Sequence, residues 1–286
     1  MTKRHHNNLQ LALDILRGRW LLSDAEVLLP QALKFLSREP LDAKLEYTPL
    51  MYSEDGSWGD AEAESTDIEK KVIVIPIHGP VTKYWSCDTV GTLDIANDLL
   101  EFASKDEVVG IVLDIDCPGG ASNAVPPMVE AIRKVKAMGK PIVVHGDMVA
   151  SAAYWFASEC DAIFLDNSLS IAGSIGAYAS YVDEREDKQT GRRTISVYAP
   201  ESTDKNKAYR EALEGRYELC QEELSELVQE FHKAVKENRP KLKTEEAGVL
   251  SGALFAAAKA IPAGLADGMK TLSECIENVF IRAEYQ

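Results

Sequence analysis

The sequence predicts an α/β protein built on a parallel sheet with repeated βαβ units and a helical N-terminal arm. Three observations carry this. Nearly unbroken apolar runs, such as Val108-Val109-Gly110-Ile111-Val112-Leu113, read as strands buried on both faces. Stretches of helical periodicity alternate with them. Turns rich in glycine and small residues follow the strand ends, where open α/β sheets place their ligands.

Taken in order, the first 67 residues differ in composition from the rest. Segments 9–17 and 25–36 have amphipathic helical spacing, and 53–69 is acidic and rich in Ser, Gly and Ala, as a flexible linker is. The core then alternates: strand 72–77, helix 89–103, strand 108–115, helix 123–138, strand 141–145, helix 151–158, strand 162–165. That order implies right-handed crossovers between parallel strands. A long helix over 210–238 carries an apolar stripe through Leu213, Tyr217, Leu224, Leu227, Phe231 and Val235 on an otherwise charged surface. The chain divides into an arm and linker (1–67), one α/β domain (68–270) and a C-terminal tail (271–286).

Bulk properties narrow the function. With 286 residues the chain has ample length for one large core. A net charge of −15 argues against nucleic acid, which is held by clustered Lys and Arg. Five scattered cysteines without metal-ligand spacing read as reduced thiols in a cytoplasmic compartment, with no metal and no cofactor expected. The basic N-terminus has no apolar run behind it. No stretch approaches the ~20 apolar residues a bilayer requires, so neither a secretion signal nor a membrane anchor is expected.

Two turns stand out chemically. Ser151 lies between strand 141–145 and an apolar helix, within Val149-Ala150-Ser151-Ala152-Ala153-Tyr154. A serine there is usually an N-cap. It is also where a nucleophile would meet free backbone N–H groups able to hold negative charge. Upstream, strand 108–115 runs into Cys117-Pro118-Gly119-Gly120, whose glycines let a backbone N–H approach a ligand closely. Cys117 reads as structural because it precedes the glycine pair.

The order Pro118-Gly119-Gly120, Ala150-Ser151-Ala152-Ala153-Tyr154, Gly173-Ser174-Ile175-Gly176 resembles the signal peptide peptidase A family of serine peptidases, within the Clp protease–crotonase superfamily. The resemblance extends from Val72 to Met269 and includes Ser251-Gly252-Ala253-Leu254-Phe255 and Ala263-Gly264-Leu265-Ala266-Asp267. Ala152-Ala153 replace the commoner Gly-Gly after the serine, and phage members of the family tolerate alanine there. The resemblance implies Ser151 as nucleophile, the amides of Gly120 and Ala152 as oxyanion hole, and Ser174 beside the base.

A serine hydroxyl needs that base. His145 is the one histidine near Ser151 in sequence, and a strand-end histidine is more often packed or solvated. None lies between Ser151 and His232. The resemblance points instead to a lysine some fifty residues on. Lys205 and Lys207 both fit, with Lys205 nearer the family spacing. Lysine has an ordinary pKa of ~10.4, so it serves as a base only where burial disfavours its charge. That requires the loop to close over the site, against a neighbouring subunit.

The expectation is a Ser–Lys endopeptidase acting on protein or peptide substrates. The absent anchor favours the phage head-maturation branch, with capsid scaffold proteins as substrates and a homo-oligomeric ring as the assembly. The alternatives are a cytoplasmic protease like the signal peptide peptidases, an inactive homologue serving as an assembly scaffold, and a crotonase-like acyl-CoA enzyme.

Overall fold

The computed structural model describes residues 20–22, 48–60, 69–86, 89–181 and 195–285. Both helices expected in the N-terminal arm lie outside the described residues. In chain order the elements are β1 (Trp20–Leu22), β2 (Leu50–Ser53), β3 (Trp58–Asp60), β4 (Lys71–His78), β5 (Val81–Thr82), β6 (Val90–Gly91), α1 (Thr92–Ala103), β7 (Val108–Cys117) and β8 (Gly119–Ala121). A 3-10 turn (Ser122–Ala124) leads into α2 (Val125–Ala137), then β9 (Ile142–Ala150), α3 (Ala152–Ala157), β10 (Ala162–Leu165) and β11 (Ile171–Gly173). The chain closes with α4 (Lys207–Leu213), α5 (Glu218–Asn238), β12 (Leu254–Ala256), α6 (Ala257–Ala260), β13 (Gly268–Met269) and α7 (Leu272–Glu284).

The main sheet runs β12-β11-β9-β7-β4-β2-β3, with β10 also on β9 and β13 on β10. Its centre is parallel (β4 on β7, β7 on β9, β9 on β10 and β11), as the alternating sequence predicts. Its borders are antiparallel. A second, small sheet runs β1-β8-β5-β6 and lies beyond the carboxyl end of β7.

The pleat sorts side chains to two faces. Ile73, Ile75, Ile77, Ile111, Leu113, Ile115, Ile142 and Val144 pack with Ile95, Leu99 and Phe102 of α1 and Met128, Ile132 and Val135 of α2. Val72, Val74, Val112, Val143 and Phe164 face the other way, against Cys275, Ile276 and Val279 of α7. Pairing of β7 with β9 slips after Ile115, so that Asp147 is an extra residue on β9. That bulge inverts the alternation, and Val149 therefore joins the core that Val144 faces.

Three stretches differ from expectation. The acidic stretch read as linker contains a hairpin: β2 and β3 pair around Gly56, whose φ of 89° suits glycine, and β2 extends the sheet beside β4. Residues 61–68 lie outside the described residues. The long helix over 210–238 is two helices, parted at Gly215, whose φ of 78° no right-handed helix admits. Residues 272–284, set apart as a tail, form α7, which begins with a reciprocal Thr271–Glu274 capping box. It lies so close to β7 that a Cβ on Gly110 would sit 2.4 Å from Val279 Cγ1.

Candidate active site

The site is built at the carboxyl ends of β7, β9 and β11. The last register pairs are Cys117 with Val149 and Gly173 with Ala150. Gly119-Gly120, Ser151 and Ser174 thus leave adjacent strands at one level, which joins three motifs that are far apart in sequence.

Ser151 is the odd residue among them. Its φ of 56° and ψ of −120° lie outside the regions side chains favour, a conformation that costs ~1–3 kcal/mol and that the surroundings must impose. What imposes it is bonding on both sides. Its N–H donates to the Gly173 carbonyl at 2.9 Å, and its own carbonyl accepts the Trp155 N–H at 3.0 Å, starting α3. The side chain is 1% exposed, yet its Oγ makes no cap bond and has no hydrogen-bond partner among the described residues. Capping therefore does not explain the serine. A buried hydroxyl without a partner costs about 1–3 kcal/mol, which makes it a costly choice for a purely structural position.

The neighbouring strands supply the rest. Ser174, buried and at φ 56°, follows Gly173 and donates its N–H to the Ala253 carbonyl at 2.8 Å. A Cβ on Gly173 would lie 2.6 Å from that same carbonyl, so the Ser251–Phe255 segment can approach only glycine. Gly120 is pinned harder: its β5 neighbour, Val81, places a carbonyl oxygen 1.8 Å from where a Cβ would sit. The amides of Gly120 and Ala152 both belong to buried residues beside Ser151 in the fold.

Support for α3 comes from the closing Gly-Leu-Ala-Asp segment. Tyr154 is fully buried and donates its hydroxyl to the Leu265 carbonyl at 2.9 Å. Burial raises its pKa. Asp267 accepts from the Ile163 N–H and pairs with Arg239 at 2.7 Å, while Arg239 also donates to the Gly264 carbonyl. Trp155 stacks on Phe231 of α5, ring centres 4.6 Å apart.

Cys117 is structural, as expected. It is fully buried, its Sγ accepts from the Gly119 N–H at 3.3 Å, and burial pushes the thiol up to about 12, leaving no thiolate at neutral pH. His145 is occupied elsewhere. It projects with Val143 to the opposite sheet face, its Nδ1 bonded to Asp114 at 2.7 Å and its Nε2 to Asp166 at 3.1 Å. Asp114 also meets His78 at 3.1 Å. Burial opposes ionisation of Asp114, but its bonds to the two histidines outweigh that and hold its carboxyl down at about 2. Nothing in the sequence reading singled out this network; its signal is only the placement of Asp114 and His145 opposite each other on paired strands.

Lys205 and Lys207 are both exposed in this single chain. Lys205 sits in the turn ahead of α4, and Lys207 opens α4 with its amine 3.2 Å from Asp204. Lys207 also lines a cleft with Tyr198, Tyr209 and Arg210. Among the described residues no cluster of three or more His, Cys, Asp or Glu is placed to hold a metal ion, and no helix is long and apolar enough to cross a membrane.

The family model of Peptidase family S49 matches residues 134–285, more than half of the chain. Protease 4 of Haemophilus influenzae is 24% identical over 216 residues, which are 74% of this chain and 35% of that protein. Protease 4 of Salmonella typhi is 33% identical over 90 residues, 31% of this chain and 14% of that protein. The chain therefore spans well under half the length of these relatives. Two mutants of the 1510-N membrane-bound stomatin-specific protease, one in complex with a substrate peptide, align over 72% of the chain at 17% identity. Their TM-scores are 0.38 and 0.39, over 82% and 77% of those chains.

Proposed function

The chain belongs to peptidase family S49, and from that premise we propose that it is a serine endopeptidase with Ser151 as nucleophile and Lys205 as base. The observation that carries this reading is the Ser151 hydroxyl, buried, without a partner among the described residues and held at a strained strand-to-helix turn between two glycine-bearing strand ends. Ser151 Oγ attacks the peptide carbonyl as its proton passes to the lysine amine. The amides of Gly120 and Ala152 take the oxyanion, with Ser174 beside the amine, and the protonated lysine then gives its proton to the leaving amine. Each oxyanion donor is worth about 3 kcal/mol in the transition state. Crotonase-like acyl-CoA chemistry has no use for the Ser151 arrangement, so the site favours the peptidase.

Because Lys205 is exposed in the single chain, the base is completed when its loop closes over the site, against a second copy in a homo-oligomeric ring. Lys207 is the alternative base. This reading sets the chain in the phage head-maturation branch, whose members tolerate alanine at the positions of Ala152-Ala153. The substrates in this reading are capsid scaffold proteins, met in the host cytoplasm or inside the procapsid.

The test is hydrolysis of fluorescein-labelled casein, and of a co-expressed scaffold, by the full chain. Ser151→Ala and Lys205→Ala abolish cleavage with the melting temperature unchanged, while Lys207→Ala does not. Loss with Lys207→Ala alone reassigns the base, and full activity of Ser151→Ala refutes the reading.

A further inference from the structure

The glycine strand β8 has two edges. One is filled by β5, with Val81 opposite Gly120. The other is filled by residues nearly a hundred positions upstream: Trp20, Leu21 and Leu22 pair antiparallel with Ala121, Gly120 and Gly119. No other strand among the described residues pairs with that edge. β8 carries the Gly120 amide assigned to the oxyanion and packs against α3, the helix that Ser151 opens.

We infer that Trp20–Leu22 is an internal occupant of the peptide-binding edge, a tethered apolar segment that must leave before another peptide can enter. The inference rests on the peptidase reading for what the edge serves. An extended peptide joins a sheet edge through its main chain, whatever its side chains, so an intramolecular strand and a substrate strand compete for the same N–H and C=O groups. Tethering gives the resident strand an effective concentration in the ~mM range, which suffices for a short and weak pairing. A competing occupant lowers the fraction of open sites without touching the chemistry. If β1 is docked ~90% of the time, the apparent KM is raised about tenfold and kcat is unchanged.

Proline has no N–H to give to a ladder, and adjacent residues of a strand alternate in pointing theirs at the partner. One of the pair Leu21→Pro and Leu22→Pro therefore removes a ladder bond. In the full chain, that variant is expected to lower KM for fluorescein-labelled casein about tenfold at constant kcat. In a Ser151→Ala background, it is also expected to speed hydrogen exchange of the amides at 119–121. Unchanged KM and unchanged exchange in both proline variants overturn the inference. Faster exchange in a chain that hydrolyses no casein, wild type included, leaves the docked strand standing and defeats the peptidase reading instead.

Discussion

Replacing Gly120 by alanine isolates what the glycine strand does. Gly120 does not have the positive φ of its neighbour Gly119, at 107°, so alanine meets no backbone penalty there. The whole effect is contact. The new methyl would stand 1.8 Å from the Val81 carbonyl oxygen, 2.7 Å from its carbon and 2.8 Å from Cγ2, where ordinary contact begins at 3.4 Å. Two of those atoms are backbone, so no rotamer relieves the overlap, and β5 and β8 must part until the gap nearly doubles. Overpacking of this kind costs ~1–3 kcal/mol of stability. In the proposed reading, parting the strands also moves the Gly120 amide away from the oxyanion, and losing one such donor lowers kcat on the order of a hundredfold. The control is Gly139→Ala, at φ 75° with nothing within 4 Å of the new methyl, which bears the backbone penalty alone. Melting curves and casein hydrolysis are compared for both variants. If Gly120→Ala stays within twofold of Gly139→Ala in rate, the amide is not part of the catalytic apparatus.

The His78–Asp114–His145–Asp166 network makes stability depend on pH. Burial lowers the pKa of His145, but its bonds to Asp114 and Asp166 outweigh this and hold it above its ordinary value. Such a group contributes fully below its unfolded pKa of ~6.5, and the contribution is lost as pH rises through the folded value. Asp114, held at about 2, contributes above its unfolded value of ~3.9 and loses it only as pH falls towards the folded one. The urea midpoint is therefore highest between about pH 4 and 6.5 and declines above that window, and His145→Gln flattens the decline; an equal slope in the variant refutes the assignment. Tyr154→Phe removes the bond to the Leu265 carbonyl and lowers stability by about 1–3 kcal/mol in denaturant titration, with casein hydrolysis preserved well below the melting point. A loss of activity there without a loss of stability would make Tyr154 a participant in the chemistry rather than a prop for α3.

Where the pattern is written locally, the chain is legible. The apolar runs 108–113 and 141–144 read as buried strands, although β9 continues past the expected end at His145 to Ala150, and Gly119-Gly120 and Ser151 converge because parallel strands bring their carboxyl ends together. The hairpin at 50–60 is harder to see because its Asp55-Gly56 turn lies in a stretch whose acidity and small residues resemble a linker. The break at Gly215 hides under an apolar stripe that keeps helical spacing across it. In α7 the Thr271–Glu274 cap is a readable signal, masked by charge and nearness to the terminus. His145 needs the register of two strands before its partnership with Asp114 exists at all. Strand β1 is least legible: three residues carry no periodicity, and their partner lies far along the chain.

Helix α4 buries none of its side chains fully, and all but Lys207 are half-buried. Its main packing is on α5 rather than on the sheet, so it can open locally while the sheet stays intact. In the proposed reading, with Lys205 in the turn just ahead of α4 as base, a newly made copy completes its sheet before that base is delivered. On that same proposal, the peptidase stays idle among half-assembled copies until a neighbour brings the loop to the site.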